Sequence, residues 1–149
     1  MFSRSLLTST LITAALWSAA GQAHGHCQVP CGIYGDAARV AMMREDLTTI
    51  RKANKQIKAL AAKTDAQSKN QLVRWVQTKE QHAERVMRTI ADYFMAQKIK
   101  PTGGRAYLDS LAKHHAVLVA AMKCKQSVAP ADAQRLGKAI DAIAGYWKK

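Results

Sequence analysis

Four stretches of the chain repeat apolar residues at spacings of three, four and seven, the period of a helix that buries one face. In the first, Val40, Met43, Leu47, Ile50, Ile57 and Leu60 form a single stripe with Arg and Lys opposite. Gly35-Asp36 supplies a turn and an N-cap, and the pattern predicts a helix to about Lys63. The polar run Thr64 to Ser68 breaks it. A second helix is predicted from about Ser68 to Lys98, with Leu72, Val76, Ala83, Val86, Ile90 and Tyr93 on one face and Trp75, Met87 and Phe94 beside it. Pro101-Thr102-Gly103-Gly104 stops that helix and turns the chain. The third runs from about Arg105 to Lys125, and Leu108, Leu111, His115, Leu118 and Met122 are its expected stripe. Pro130 opens the fourth, whose Leu136, Ile140, Ile143 and Trp147 continue to the C-terminus. No segment alternates as a strand does, so the expectation is all-α: an antiparallel four-helix bundle of four amphipathic helices joined by short loops.

The chain ahead of these helices is of another kind. Met1-Phe2-Ser3-Arg4, an apolar run from Leu6 to Trp17 and the small-residue sequence up to Gly25 read as a secretory signal, with Ala23 and Gly25 at the −3 and −1 positions of the cut. The apolar run is too short to span a bilayer, which takes roughly 20 residues. The division expected is therefore a signal over 1–25, removed by signal peptidase, and one domain over 26–149 that is periplasmic or secreted and not held in a membrane. The chain of 149 residues carries a formal charge of +13, and the signal contains only Arg4 among charged side chains, so the processed chain carries +12. Export argues against nucleic acid as the partner of this positive field, and the cations are spread over every helix as solvated faces are.

The cut would leave His26 as the first residue of His26-Cys27-Gln28-Val29-Pro30-Cys31-Gly32-Ile33-Tyr34. A free amine, an imidazole and two thiolates then fall within six residues of one another. The amine, the amide nitrogen and thiolate of Cys27 and the thiolate of Cys31 make a planar nitrogen and sulfur set, with the His26 imidazole axial. That geometry suits Ni(II) or Cu(II), whereas tetrahedral zinc gains nothing from it. Pro30 bends the hook so that Cys31 returns toward Cys27, and Tyr34 stands beside it. A Cys27–Cys31 disulfide is the competing use of these thiols in an oxidising compartment. Cys124, far along the chain, reads as a small packing residue.

At these residues the chain resembles the nickel superoxide dismutases, whose mature sequence begins His-Cys-x-x-Pro-Cys-Gly-x-Tyr. Lys79-Glu80-Gln81 and Asp92-Tyr93-Phe94 resemble further segments of that family. The resemblance implies a four-helix subunit, six subunits in a hollow sphere, and conversion of superoxide to oxygen and hydrogen peroxide by one-electron cycling of nickel. It implies His26, Cys27 and Cys31 as metal ligands and Tyr34 and Tyr93 as the residues shaping the pocket for the small anionic substrate.

The chain departs from the family where the axial imidazole is supported. A glutamate of the first helix and an arginine after Lys-Glu-Gln do this in the family, and here those places read Ala41-Met42-Met43 and His82. His82 is then a hydrogen-bond partner for His26, an extra ligand that shifts the preference toward copper, or a helix histidine with no role. A noncatalytic periplasmic protein that captures or senses copper or nickel is the alternative to the enzyme. His114-His115 is not expected to hold a metal, because neighbours on a helix point about 100° apart, and His115 is the one expected at the core boundary.

Overall fold

The computed structural model of the chain describes residues 35–148. Four helices follow in order: α1 over Asp36–Leu60, α2 over Ala66–Arg88, α3 over Gly104–Gln126 and α4 over Pro130–Ala144. Each packs on the next and α4 closes the ring against α1. The pairs that meet run in opposite order: Asp36 meets Tyr93 while Asp46 meets His82, and Arg44 meets Asp141. The bundle is therefore antiparallel, and there is no strand among the described residues.

Local chemistry sets the ends of the elements. Gly35 leads into α1 at φ 63°, a backbone angle that carries no penalty without a Cβ, and Gly103 and Gly104 make the α2–α3 turn at φ 71° and 77°. Asp36 is the first helical residue and not the cap, so its carboxylate is free for the tertiary contacts described below. Asp65 caps α2 by accepting from the Ser68 backbone N–H at 2.8 Å. Pro130 sits in the first turn of α4, where its missing N–H costs nothing.

The end of α2 departs from the uniform helix expected to Lys98. From Thr89 to Lys98 the chain winds as a π-helix, closed by the Ile99 N–H donating to the Phe94 carbonyl at 2.9 Å. Such wide turns are rare and concentrate near functional sites. Tyr93 and Phe94, adjacent in sequence, are both buried here.

The core is built from Met43, Ile50, Val86, Ile90, Phe94, Val117, Leu136, Ile140 and Ile143, none of which reaches solvent. The expected stripe of α3 is corrected by about 100° of rotation. His114, Val117, Ala121 and Cys124 face inward, while Leu108 is 62% exposed and His115 and Met122 lie on the surface. The helix carries two apolar faces, and the one that is buried is the one with alanines and a cysteine. Of the expected stripe, Leu111 and Leu118 are half-buried, Leu118 against the core, while Leu108 is left outside. On α2, Val76 is likewise outside and Lys79 is buried in its place.

Candidate metal centre

His26, Cys27, Cys31 and Tyr34 lie outside the described residues. What the structure positions is the ground from which that hook emerges. Asp36, two residues after Tyr34, accepts a 2.7 Å hydrogen bond from the Tyr93 hydroxyl through Oδ1 and pairs with Lys98 at 3.1 Å through Oδ2. The Arg39 guanidinium lies 5.1 Å from the centre of the Tyr93 ring and the Lys98 ammonium 5.9 Å, both within cation–π reach. Burial, and then the hydrogen bond to the Asp36 carboxylate, push the Tyr93 phenol above its usual range. Tyr93 is thus a neutral donor pinned to the start of α1, with two cations beside it.

Ten residues further along α1, about 15 Å at 1.5 Å per residue, the structure assembles a second polar cluster. Asp46 lies 2.7 Å from His82 Nδ1 through Oδ1, which also accepts from Arg85 Nε at 3.0 Å and Nη2 at 2.8 Å. Arg85 Nη2 is 2.9 Å from His82 Nε2 as well. The carboxylate and the guanidinium both contact the imidazole, Arg85 Nη2 touching Nδ1 as well as Nε2, so together they hold the orientation of the ring. Asp46 is buried and Arg85 half exposed. Met42, one helical turn before Asp46 and one of the residues expected where the family has its glutamate, is 51% exposed.

Sequence reasoning singled out His82 and Tyr93 but missed their partners Asp46, Arg85 and Asp36. Asp46 had a signal: an acid within the apolar face marked by Met43, Leu47 and Ile50 is out of place unless something pairs with it. Arg85, three residues after His82, shares its face of α2.

Among the described residues no group of three or more His, Cys, Asp or Glu side chains can hold a metal ion. His114, the buried member of the His114-His115 pair, has both ring nitrogens engaged: Nδ1 with the Ser110 carbonyl at 2.8 Å and Nε2 accepting from Trp147 Nε1–H at 3.0 Å. It is His114 and not His115 that meets the core. No helix among the described residues is long and apolar enough to cross a membrane.

A family model described as nickel-containing superoxide dismutase matches residues 21–149, which takes in the His26–Tyr34 hook and all four helices. No curated protein and no solved structure matches the chain. With the hook sequence, the helical bundle and a family match over most of its length, the chain belongs to the nickel-containing superoxide dismutase family, oxidoreductases that act on superoxide with nickel as cofactor.

Proposed function

We propose that this chain is exported, cut after Gly25 by signal peptidase, and active in the periplasm or outside the cell, with His26, Cys27 and Cys31 holding nickel at the new N-terminus. The observation that carries the reading is the complete hook within the family match, following a stretch whose sequence reads as a secretory signal. The donor set fits nickel: the amine and imidazole of His26, the amide nitrogen of Cys27 and the thiolates of Cys27 and Cys31 would hold the ion through strong nitrogen and sulfur donors. Bound there, nickel supplies the one-electron oxidation and reduction by which two superoxide ions and two protons become oxygen and hydrogen peroxide.

The residues of the bundle serve that chemistry in three ways. Tyr93, held neutral and fixed by the hydrogen bond it donates to Asp36, shapes with Tyr34 a pocket for a small anion. Arg39 and Lys98 place positive charge beside that phenol, and the net charge of the chain adds long-range steering of superoxide. His82 acts as a hydrogen-bond partner of His26 and not as a further ligand. Its Nδ1 is committed to Asp46, and withdrawal of the half-exposed Arg85 side chain leaves Nε2 as the acceptor for a His26 N–H.

We further infer a homo-oligomer, a hexamer by the family resemblance. The outer face of α3 supports association of like chains, since Leu108, Val119 and Met122 are exposed on it without cover.

The test is to purify the protein from its native compartment and determine its first residue, its metal, its mass in solution and its rate of superoxide removal. His26 at the N-terminus, one nickel per chain and fast dismutation are expected. An active protein that keeps residues ahead of His26 contradicts ligation by the amine. Stoichiometric metal without dismutation points to the noncatalytic binding protein, and copper in place of nickel overturns the metal assignment.

A further inference from the structure

Three oxidisable aromatic side chains lie in one line from the end of the bundle where the hook emerges to the surface. Tyr93 meets Phe94 edge to face, with ring centres 5.2 Å apart. Phe94 lies 4.8 Å from Trp147, and Trp147 lies 6.5 Å from Tyr146. These separations are those of aromatic rings in contact. Tyr93 is buried and Tyr146 is 41% exposed, so the line has an inner and an outer end.

Each of the three also gives its proton-bearing atom to a base. The Tyr93 O–H donates to Asp36 at 2.7 Å, the Trp147 Nε1–H to His114 Nε2 at 3.0 Å and the Tyr146 O–H to Asp109 at 2.6 Å. A phenol or an indole that loses an electron becomes strongly acidic, so a base already in contact eases the oxidation by taking the proton. Packing does not demand this pairing at Tyr146, whose exposed hydroxyl could donate to water instead. Trp75 and Tyr107 show the contrast: among the described residues they meet no other ring and donate to no acceptor.

We propose that Tyr93, Trp147 and Tyr146 form an electron relay that carries oxidising equivalents from the hook to the protein surface. Its inner end rests on the reading of the hook as the redox centre, whereas the relay itself does not. Reduction of the peroxide product by a single electron leaves hydroxide and a hydroxyl radical, an oxidant that otherwise falls on the Cys27 and Cys31 thiolates. Tyr93 gives that radical an electron, so it leaves as hydroxide, and the phenolic proton passes to Asp36. Trp147 then reduces Tyr93, which recovers its proton from Asp36, while the indole proton moves to His114. Tyr146 reduces Trp147 in the same way, returning the His114 proton to the indole and passing its own to Asp109. A solution reductant of the ascorbate class supplies the last electron at the exposed ring, and Asp109 returns the proton.

Pulse radiolysis with the azidyl radical, which oxidises tryptophan ahead of tyrosine, tests the relay. In the processed, metal-loaded Trp75→Phe protein, Trp147 is the only tryptophan left. Tryptophanyl absorbance should decay as tyrosyl absorbance grows, at a rate independent of protein concentration. Adding Tyr146→Phe should remove most of the tyrosyl signal, and adding Tyr107→Phe should leave it in place. A rate that rises with protein concentration, or equal loss in the two variants, overturns the relay. Its direction is tested by exposing the nickel-loaded protein to hydrogen peroxide with ascorbate and mapping oxidation by peptide mass spectrometry. The hook cysteines should oxidise faster in Trp147→Phe and in Tyr146→Phe than in the parent. Tyr146→Phe alters an exposed ring and decides the point if Trp147→Phe does not fold. Equal oxidation of the hook in Tyr146→Phe and the parent overturns the protective role. A protein that binds no nickel contradicts the reading of the hook and leaves the radiolysis result standing.

Discussion

The His82 imidazole on α2 sits 2.7 Å from the Asp46 carboxylate on α1, and Arg85 closes the group from the next turn of α2. The two helices are joined here by a polar contact that sets which way the ring faces. If His82 supports His26 as proposed, Asp46 governs the metal site without touching the metal. Asp46→Asn keeps the shape and removes the charge, so nickel retention and dismutation should both fall about 10–100-fold. Helix content by circular dichroism should be unchanged. Unaltered nickel affinity together with unaltered activity would show that the cluster is only a helix clasp.

Tyr93 is tied to the same helix nearer its start, and the consequence can be read from its ionisation. Burial and the Asp36 carboxylate both raise the phenol above its ordinary value. A group whose folded pKa is raised contributes stability that is complete below the unfolded pKa of about 10. That contribution is lost as pH rises through the folded value. Spectrophotometric titration near 295 nm should show one tyrosine ionising later than the others in the folded protein, and Asp36→Asn should bring it down. Tyr93→Phe should cost about 1–2 kcal/mol in urea unfolding, the usual worth of a hydrogen bond to a charged acceptor. A phenol that titrates with the exposed tyrosines would contradict the pairing.

These two clusters also show how far the sequence could be read. Helical periodicity located all four helices, and turn residues such as Asp65, Gly103 and Pro130 placed their ends to within a few residues. The hook motif was legible because it is contiguous. Asp36–Tyr93 and Asp46–His82 were not, since each joins residues far apart in the chain, and periodicity says which face a residue occupies but not what it meets across a helix pair. The rotation of α3 failed for a different reason. Residue size is a poor guide to burial on this helix: His114, Ala121 and Cys124 face the core, while Leu108 and Met122 stay outside.

His114 gives the bundle a sensitivity to acid. It is fully buried between Phe94 and Trp147, with Nδ1–H donated to Ser110 and Nε2 accepting from Trp147, so it is neutral. Burial lowers its pKa below the ordinary histidine value. The unfolded chain then binds a proton more readily than the folded one, and stability falls as pH drops below about 6.5 until the folded value is passed. The urea midpoint should decline between pH 7.5 and 5.5. Trp147→Phe removes the donor and leaves Nε2 bare, at a cost of about 1–3 kcal/mol at neutral pH. A flat midpoint across this range would contradict a buried neutral His114.

Cys124 should be chemically silent in the folded state. It is fully buried in the core, and burial pushes its thiol up to about 11. Thiolate is the reactive form, so a disulfide reagent at pH 8 should modify Cys124 only in denaturant. Cys27→Ser/Cys31→Ser isolates this one thiol for the measurement. Rapid labelling of the folded double variant would contradict the burial of Cys124 in the core.

Lys79 replaces an apolar residue in the α2–α3 seam because it completes another helix. Its ammonium donates to the carbonyls of Lys125, near the C-terminal end of α3, and Ser127, just past it, the latter at 3.3 Å. Those oxygens have no partner within α3, and a cation there also faces the negative end of the helix dipole. The aliphatic stem lies buried while only the charged tip bonds. Lys79→Met preserves the stem and strands the carbonyls, so the loss of stability should be about 1–3 kcal/mol, more than the removal of a surface charge. Lys79→Arg keeps donors at that end and should recover part of it. Hydrogen exchange adds a second readout, since the amides of the last turn of α3 should lose protection in Lys79→Met ahead of those in α1. If both variants unfold with the parent protein, the carbonyls are satisfied some other way and the lysine is only a passenger in the seam.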